Sequence, residues 1–316
     1  MEVLGAKPER TGSGHPRRVP LELTFSAVTQ SAMHIDAHQH FWRYDRREYG
    51  WIDDSMAVLR RDFLPADLKP ELDRSGFQGC IAVQARQTLE ETRWLLELAE
   101  RAPFILGVVG WVDLRSPRLP FELKSFAGKS KLVGVRHIVQ SEPDERFLLR
   151  PDFLCGIALL EEFDLAYDIL IYPRHLPVAA EFVARFPRQR FVLDHLAKPP
   201  IKSGAVDVWA RGFRELASFP NLFCKVSGLV TEADWQSWTP EGMRPYLDVA
   251  FECFGPSRLM IGSDWPVCTA AAPYSRVMDV VTDYLSKYAA EEKDAVLGGN
   301  AATFWRLKRS QNQARD

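Results

Sequence analysis

The stretch "MHIDAHQHFW", residues 33–42, decides how the chain is read. A short apolar run is interrupted at every second position by an ionisable side chain: His34, Asp36, His38 and His40. Residues two apart on a strand share a face. A strand ending in H-x-H therefore turns His38 and His40 the same way, toward one rim of a sheet. Two close imidazoles resist joint protonation; they suit a shared divalent cation or a shared carbonyl that both polarise.

Seven further apolar runs follow: 80–84 "CIAVQ", 104–109 "FILGVV", 133–137 "VGVRH", 166–171 "AYDILI", 190–194 "RFVLD", 222–227 "LFCKVS" and 259–263 "LMIGS". Patterns of helical period separate them, among them 88–101, 177–186, 207–218, 241–254 and 275–290. "TLEET" (88–92) suits a capping box, Thr88 at the cap and Glu91 three residues on. Near-continuous apolar strands alternating with helices imply an α/β protein whose parallel sheet is covered by helices. Eight such units favour closure into a single-domain TIM (β/α)8 barrel, which uses about 250 residues. An open doubly wound sheet would carry a Gly-rich phosphate turn, and neither G-x-G-x-x-G nor G-x-x-x-x-G-K-[ST] occurs.

Composition narrows the function classes. With 46% hydrophobic and 26% charged residues the chain is globular, and no apolar run reaches the ~18 residues of a membrane span. A formal charge of −2 gives no basic field for nucleic acid or anionic lipid. The five cysteines (80, 155, 224, 253 and 268) show neither a paired framework nor a CxxC zinc site, so buried free thiols and a cytoplasmic location are expected. Residues 1–32 lack the apolar core of a secretory signal. They read as an N-terminal extension, mobile or wrapped on the surface, ahead of a natural start at Met33, with the barrel over 33–308 and a tail over 309–316.

A barrel of this kind takes its catalytic groups from the C-terminal ends of its strands. The unusual polar residues fall there: His38-Gln39-His40, Arg136-His137, Tyr172 to His175, Asp194-His195 with Lys198, Lys225 with Ser227, and Asp264 in "GSDWP". Six of the seven histidines lie in these strands or just past them. Each residue alone has a plainer reading. Asp36 caps or bonds locally, His34 is structural, and His137 is a core histidine with a backbone partner. His175 packs a loop, Arg136 is an ion pair, Lys198 is a turn lysine, and Trp42, Trp51 and Trp265 belong to the core. Joint placement of H-x-H, D-H and S-D at strands one, six and eight tips the balance toward a site.

"DAHQHFW" (36–42), "FVLDHLAKP" (191–199), "CKVSGL" (224–229) and "GSDWPVC" (262–268) closely resemble the amidohydrolase superfamily, in its amidohydrolase 2 (sugar-lactonase) branch of L-fuconolactonase and L-rhamnonolactonase-like proteins. The resemblance covers residues 33 to 307. It implies a distorted (β/α)8 barrel and hydrolysis of a small sugar-derived lactone. Carried over by position, His38, His40, His195 and Asp264 form the metal or metal-like centre, and Arg136 binds the substrate or polarises its carbonyl. Lys131 lies too early to be a bridging ligand, and strand five offers none unless His175 reaches inward. One divalent cation at most is therefore expected, zinc foremost, and some members of the branch dispense with it.

The expected reaction is water attack on the lactone carbonyl. Asp264 acts as base, an oxyanion is held by a cation on His38 and His40 or by imidazolium and Arg136, and the ring oxygen takes its proton from Asp264 or His195. Trp42, Gln84, Tyr172, His175, Lys198 and Trp265, with Trp51, are the candidate substrate contacts. The alternatives are a metal-dependent decarboxylase of an unsaturated or aromatic acid, or a barrel that binds a sugar acid without chemistry. The expected partners are a small-molecule sugar lactone and, for assembly, further copies of the chain as a homo-oligomer; neither nucleic acid nor membrane is expected.

Overall fold

The eight apolar runs become eight parallel strands in sequential order: β1 (Ile35–Gln39), β2 (Gly79–Val83), β3 (Ile105–Gly110), β4 (Leu132–His137), β5 (Ala166–Ile169), β6 (Phe191–Leu193), β7 (Leu222–Val226) and β8 (Leu259–Ile261). They come from a computed structural model that describes residues 1–2 and 33–307. The expected extension beyond Glu2 and the C-terminal tail lie outside the described residues. Just past β8 the sheet closes on itself: Asp264 N donates to His38 O (2.8 Å) and His40 N to Trp265 O (2.6 Å). The result is a single-domain TIM barrel.

Eight helices follow the strands: α1 (Pro65–Arg74), α2 (Leu89–Arg101), α3 (Leu119–Ser125), α4 (Pro151–Leu160), α5 (Leu176–Ala184), α6 (Val206–Ala217), α7 (Pro240–Phe254) and α8 (Tyr274–Tyr284). In α6 the buried residues Trp209, Ala210, Phe213, Leu216 and Ala217 recur at helical spacing and form one stripe against the sheet. Thr88 caps α2 as expected, its hydroxyl accepting from Glu91 N. The Glu91 carboxylate does not return to the cap. It accepts from Ala85 N and Arg86 N (3.0 and 2.7 Å), tying the end of β2 to the helix instead. The pattern over 275–290 is one helix too long: α8 stops at Tyr284, and a further turn precedes α9 (Ala290–Asp294) and α10 (Asn300–Phe304).

The barrel interior is filled from both ends. Its lower layer is apolar: Ile35, Ala37, Ile81, Val83, Val109, Ala166, Val192 and Met260, closed beneath by Phe304 and Trp305. Its upper layer is polar and forms the site. β1 breaks strict alternation to serve both layers. Its register against β2 shifts between Asp36 and Gln39, a β-bulge, so Ala37 and His38 can both turn inward. Asp36 turns outward, where it accepts from Ser263 N, Ser263 Oγ and Tyr274 Oη (2.9, 2.6 and 3.1 Å). Its role extends well beyond a local cap: it ties β1 to β8 and α8, and burial pushes its carboxyl up to about 6 against those bonds.

All five cysteines are free. Cys80, Cys224 and Cys268 are buried as expected, Cys253 is half-buried and Cys155 is exposed. Among the described residues no helix is long and apolar enough to cross a membrane.

Candidate active site

At the C-terminal rim of the strands lies a cavity of about 530 Å³. His40, Arg136, His195 and Asp264 form its floor; Trp42, Trp51, Tyr172, Lys198, Glu232 and Trp235 stand among its walls. The long β1–α1 loop supplies Trp51 and is pinned by paired bonds between Trp42 and Phe63 (3.0 and 2.9 Å).

Two of the floor residues stand on unusual backbone. Asp264 follows β8 with φ of +58°, and His195 opens a run of four non-glycine residues, His195 to Lys198, with φ between +51° and +56°. Each such residue costs about 1–2 kcal/mol relative to ordinary backbone. The run persists because it is locked: Lys198 N donates to His195 O (2.7 Å) and Trp209 Nε1 to Leu196 O (2.8 Å). The reversal brings Asp194 and His195, neighbours that would alternate faces on a strand, into one cluster.

The ring nitrogens and carboxylates converge. His38 Nε2 and His40 Nε2 are 3.2 Å apart, and Asp264 Oδ1 lies 3.8 and 3.3 Å from them. His195 Nε2 is 3.9 Å from the same oxygen, and its Nδ1 bonds Ser227 Oγ at 2.9 Å. Beneath lies a buried charge network. Arg136 Nη1 donates to Asp194 Oδ2 (2.9 Å), while Lys225 Nζ meets Asp168 Oδ2 (2.5 Å), Asp194 Oδ1 (3.0 Å) and His38 Nδ1 (3.2 Å). Arg136 also donates to Gln84 O and, at 3.4 Å, to Gln84 Oε1. Two cations thus answer two carboxylates, Asp168 and Asp194. Asp264 has only imidazoles as basic neighbours within 4.0 Å among the described residues.

These surroundings set the protonation states. Burial pushes the His195 imidazole down to about 4, against Asp264 and Asp194, with Lys198 and Arg136 adding to the fall. His38 lies well below the ordinary histidine range, chiefly through burial, with Lys225 acting the same way against Asp194. Burial would raise Asp264, but His195, His40 and His38 outweigh it and hold the carboxyl below its usual range. At neutral pH Asp264 is an ionised carboxylate, and the His38 and His195 imidazoles beside it are neutral.

A tetrahedral zinc about 2.1 Å from each ligand separates ligand atoms by about 3.4 Å. The triad His38 Nε2, His40 Nε2 and Asp264 Oδ1 matches that spacing and donor chemistry. His38, Asp194 and His195 also offer converging atoms. There, however, Asp194 is already paired to Arg136 and Lys225.

The structure brings His38, His40, His195, Asp264 and Arg136 together and places Trp51, Tyr172 and Lys198 on the cavity wall; Trp42 borders the cavity but is fully buried, its Nε1 donating to Arg61 O (2.9 Å). Three other candidates stand elsewhere. Gln84 is fully buried and holds Arg136. His175 turns back so that its Nδ1 accepts from Tyr172 N (3.1 Å), and does not reach inward as a ligand. Trp265 packs edge-on against Phe41 and Phe63. His137 is a core histidine whose partner is the Glu142 carboxylate (2.7 Å), not backbone, with its ring stacked on Phe147. Sequence reasoning missed Asp168, Asp194 and Lys225 as one network, and Glu232 and Trp235 on the wall. An inward-facing charge on three successive strands was the available signal for the first group. The loop residues had none.

The amidohydrolase family profile matches residues 35–307. An L-fucono-1,5-lactonase of Burkholderia multivorans is 44% identical over 291 residues, covering 87% of this chain and 97% of that protein. One of Burkholderia ambifaria is 41% identical over 281 residues, covering 87% and 96%. A crystal structure of an amidohydrolase from Burkholderia multivorans with bound zinc superposes with a TM-score of 0.85 at 44% identity, covering 88% of this chain and all of that one.

Proposed function

The chain belongs to the amidohydrolase family, and from that premise we propose that it is a lactonase, opening a small sugar-derived lactone to its hydroxy acid by adding water to the carbonyl. The observation that carries the reading is Asp264. It is a buried carboxylate at the cavity floor, without a lysine or arginine within 4.0 Å among the described residues, facing three imidazoles. A carboxylate so placed is free to take a proton.

Asp264 accepts a proton from the attacking water. Arg136, held by Asp194 and Gln84, faces the carbonyl oxygen as negative charge develops on it, and His40 and His195 flank it. The protonated Asp264 is a strong acid in this setting and returns the proton to the ring oxygen as the C–O bond breaks. His38, His40 and Asp264 would hold a divalent cation, which when bound acts as a Lewis acid on the carbonyl oxygen.

The walls suit a sugar. Tyr172, Trp51 and Trp235 offer flat faces, and the Lys198–Glu232 pair (2.9 Å) offers donors and acceptors to hydroxyls. The 41–44% identity to L-fucono-1,5-lactonases makes L-fucono-1,5-lactone the first substrate to try. A pH-indicator screen of D- and L-aldonolactones, with benzoate-type acids followed by CO2 release, tests the reading. Acid release from one or a few lactones without decarboxylation is expected. Turnover of no lactone, with or without added zinc, would overturn it.

A further inference from the structure

Apart from the imidazoles of His40 and His195, the charged side chains that line the cavity among the described residues are Arg136, Lys198, Glu232 and Asp264. Both cations are already answered. Arg136 Nη1 donates to Asp194 Oδ2 (2.9 Å), and Lys198 Nζ donates to Glu232 Oε1 (2.9 Å). Two cations therefore stand against three carboxylates, Asp194, Glu232 and Asp264, and no ammonium or guanidinium on the cavity is left without a carboxylate. The two pairs differ in place. Asp194 is fully buried beneath Arg136, whereas the Lys198 and Glu232 side chains keep 16% and 21% of their surface and form part of the wall. Both stand on fixed backbone. Lys198 ends the left-handed run, its N–H held by His195 O (2.7 Å). Glu232 ends a short turn, Val230–Glu232, in which Thr231 Oγ1 donates to Gly228 O (2.7 Å) and Thr231 O accepts from Trp235 Nε1 (3.1 Å). The pair is thus built into the wall rather than free to part for an incoming anion. Much of the remaining wall is apolar, with Met56, Ile138, Leu170 and Val267. A carboxylate or phosphate brought against it would lose its water and gain no partner.

We propose that Glu232 is a specificity-determining residue: by occupying Lys198 it restricts the cavity to uncharged lactones and turns away those that carry a carboxylate or phosphate away from the reacting carbonyl. An uncharged polyhydroxy ring loses nothing by this pairing, because the carboxylate still accepts from its hydroxyls and the ammonium still donates to them. An anionic substituent meets a like charge instead, which is a direct means of rejecting a wrong partner. Neutralising Glu232 alone would leave the Lys198 ammonium on the wall with no carboxylate within 4.0 Å among the described residues, ready to bind an anion. The inference rests on the reading of the cavity as a lactone site and deepens it by fixing the charge of the lactone accepted.

Glu232→Gln keeps the shape of the side chain and removes its charge, and two readouts test it. The first is kcat/KM on L-galactonolactone and on galactarolactone, which carries a carboxylate in place of the terminal hydroxymethyl. The ratio of the second to the first should rise about 10–100-fold in the variant. A merely structural role for Glu232 would lower both alike and leave the ratio unmoved. The second is calorimetric binding of galactarate, which needs no turnover. Glu232→Gln should bind it about 10–100-fold more tightly than wild type, and Glu232→Gln/Lys198→Met, which has no freed ammonium, should lose that gain. Tighter galactarate binding without turnover of any lactone would sink the lactonase reading and leave the charge filter standing. A folded Glu232→Gln with an unchanged ratio on lactones that are turned over, or with no gain for galactarate, would overturn the proposal, as would a double variant that keeps the gain.

Discussion

Gly228 offers a sharp test of how closely the histidine of strand β6 must be held. It follows Ser227 with φ of +65°, and a Cβ built on it would meet His195 Nδ1 at 2.7 Å, Cγ at 2.9 Å and Cβ at 3.1 Å. Ordinary contact begins near 3.4 Å, so Gly228→Ala asks the imidazole to retreat by 0.7 Å (3.4 minus 2.7). That retreat lengthens the 2.9 Å bond to Ser227 Oγ and moves the ring relative to Asp264. A misplacement approaching 1 Å costs about 10²-fold in rate, and left-handed backbone adds about 1–2 kcal/mol of destabilisation. Gly204→Ala separates the two effects: its φ is +70°, but nothing lies within 4 Å of the added methyl. Gly204→Ala should lose only the backbone cost in urea unfolding and keep kcat, while Gly228→Ala loses more stability, through the contact with His195, and about 10²-fold in kcat on the best lactone. Equal kcat in the two would show that the position of His195 does not matter at this scale.

Two further outcomes follow from the same geometry. Burial pushes the Glu91 carboxyl up to about 7, against the backbone N–H groups of Arg86 and Ala85, so the folded chain keeps a proton that the unfolded chain sheds above its ordinary value of 4.5. Glu91 therefore makes stability fall as pH rises from about 4.5 to about 7, by on the order of 3 kcal/mol. Glu91→Gln, which keeps an acceptor without the charge, should gain that much on wild type between pH 5 and pH 8 in urea unfolding; parallel curves would refute it. Lys198→Met removes a wall cation but none of the floor groups, and should raise KM roughly tenfold with kcat nearly kept. A loss confined to kcat would place Lys198 in the chemistry instead.

Much of this was legible in the sequence because it rests on local signals. The strands follow from apolar runs of the right length, and helices such as α2 and α6 follow from period and cap. The floor residues follow from a simple rule: polar groups at strand ends face the mouth of a barrel. What was not legible depends on backbone departures or on pairing across the barrel. The β-bulge in β1 sends Asp36 outward although alternation groups it with His38. No glycine announces the left-handed run at His195 to Lys198. Lys225 reads as one of several polar groups near strand ends, and its charge partners appear only when Asp168 and Asp194 are found beside it from strands 57 and 31 residues earlier (225 minus 168 and 225 minus 194). Gln84, His175 and Trp265 sit at strand ends and yet turn into structure, because Arg136, Tyr172 and Phe63 take up their polar or aromatic faces.

The claim on which the rest depends is that the Asp264 carboxylate handles the proton in lactone opening. Steady-state kinetics of Asp264→Asn on the best lactone, with the fold checked by circular dichroism, measures this directly. Asn preserves shape and some hydrogen bonding, so KM should hardly move while kcat falls by about 10²–10⁴. A variant that turns the lactone over within tenfold of wild type would contradict the account.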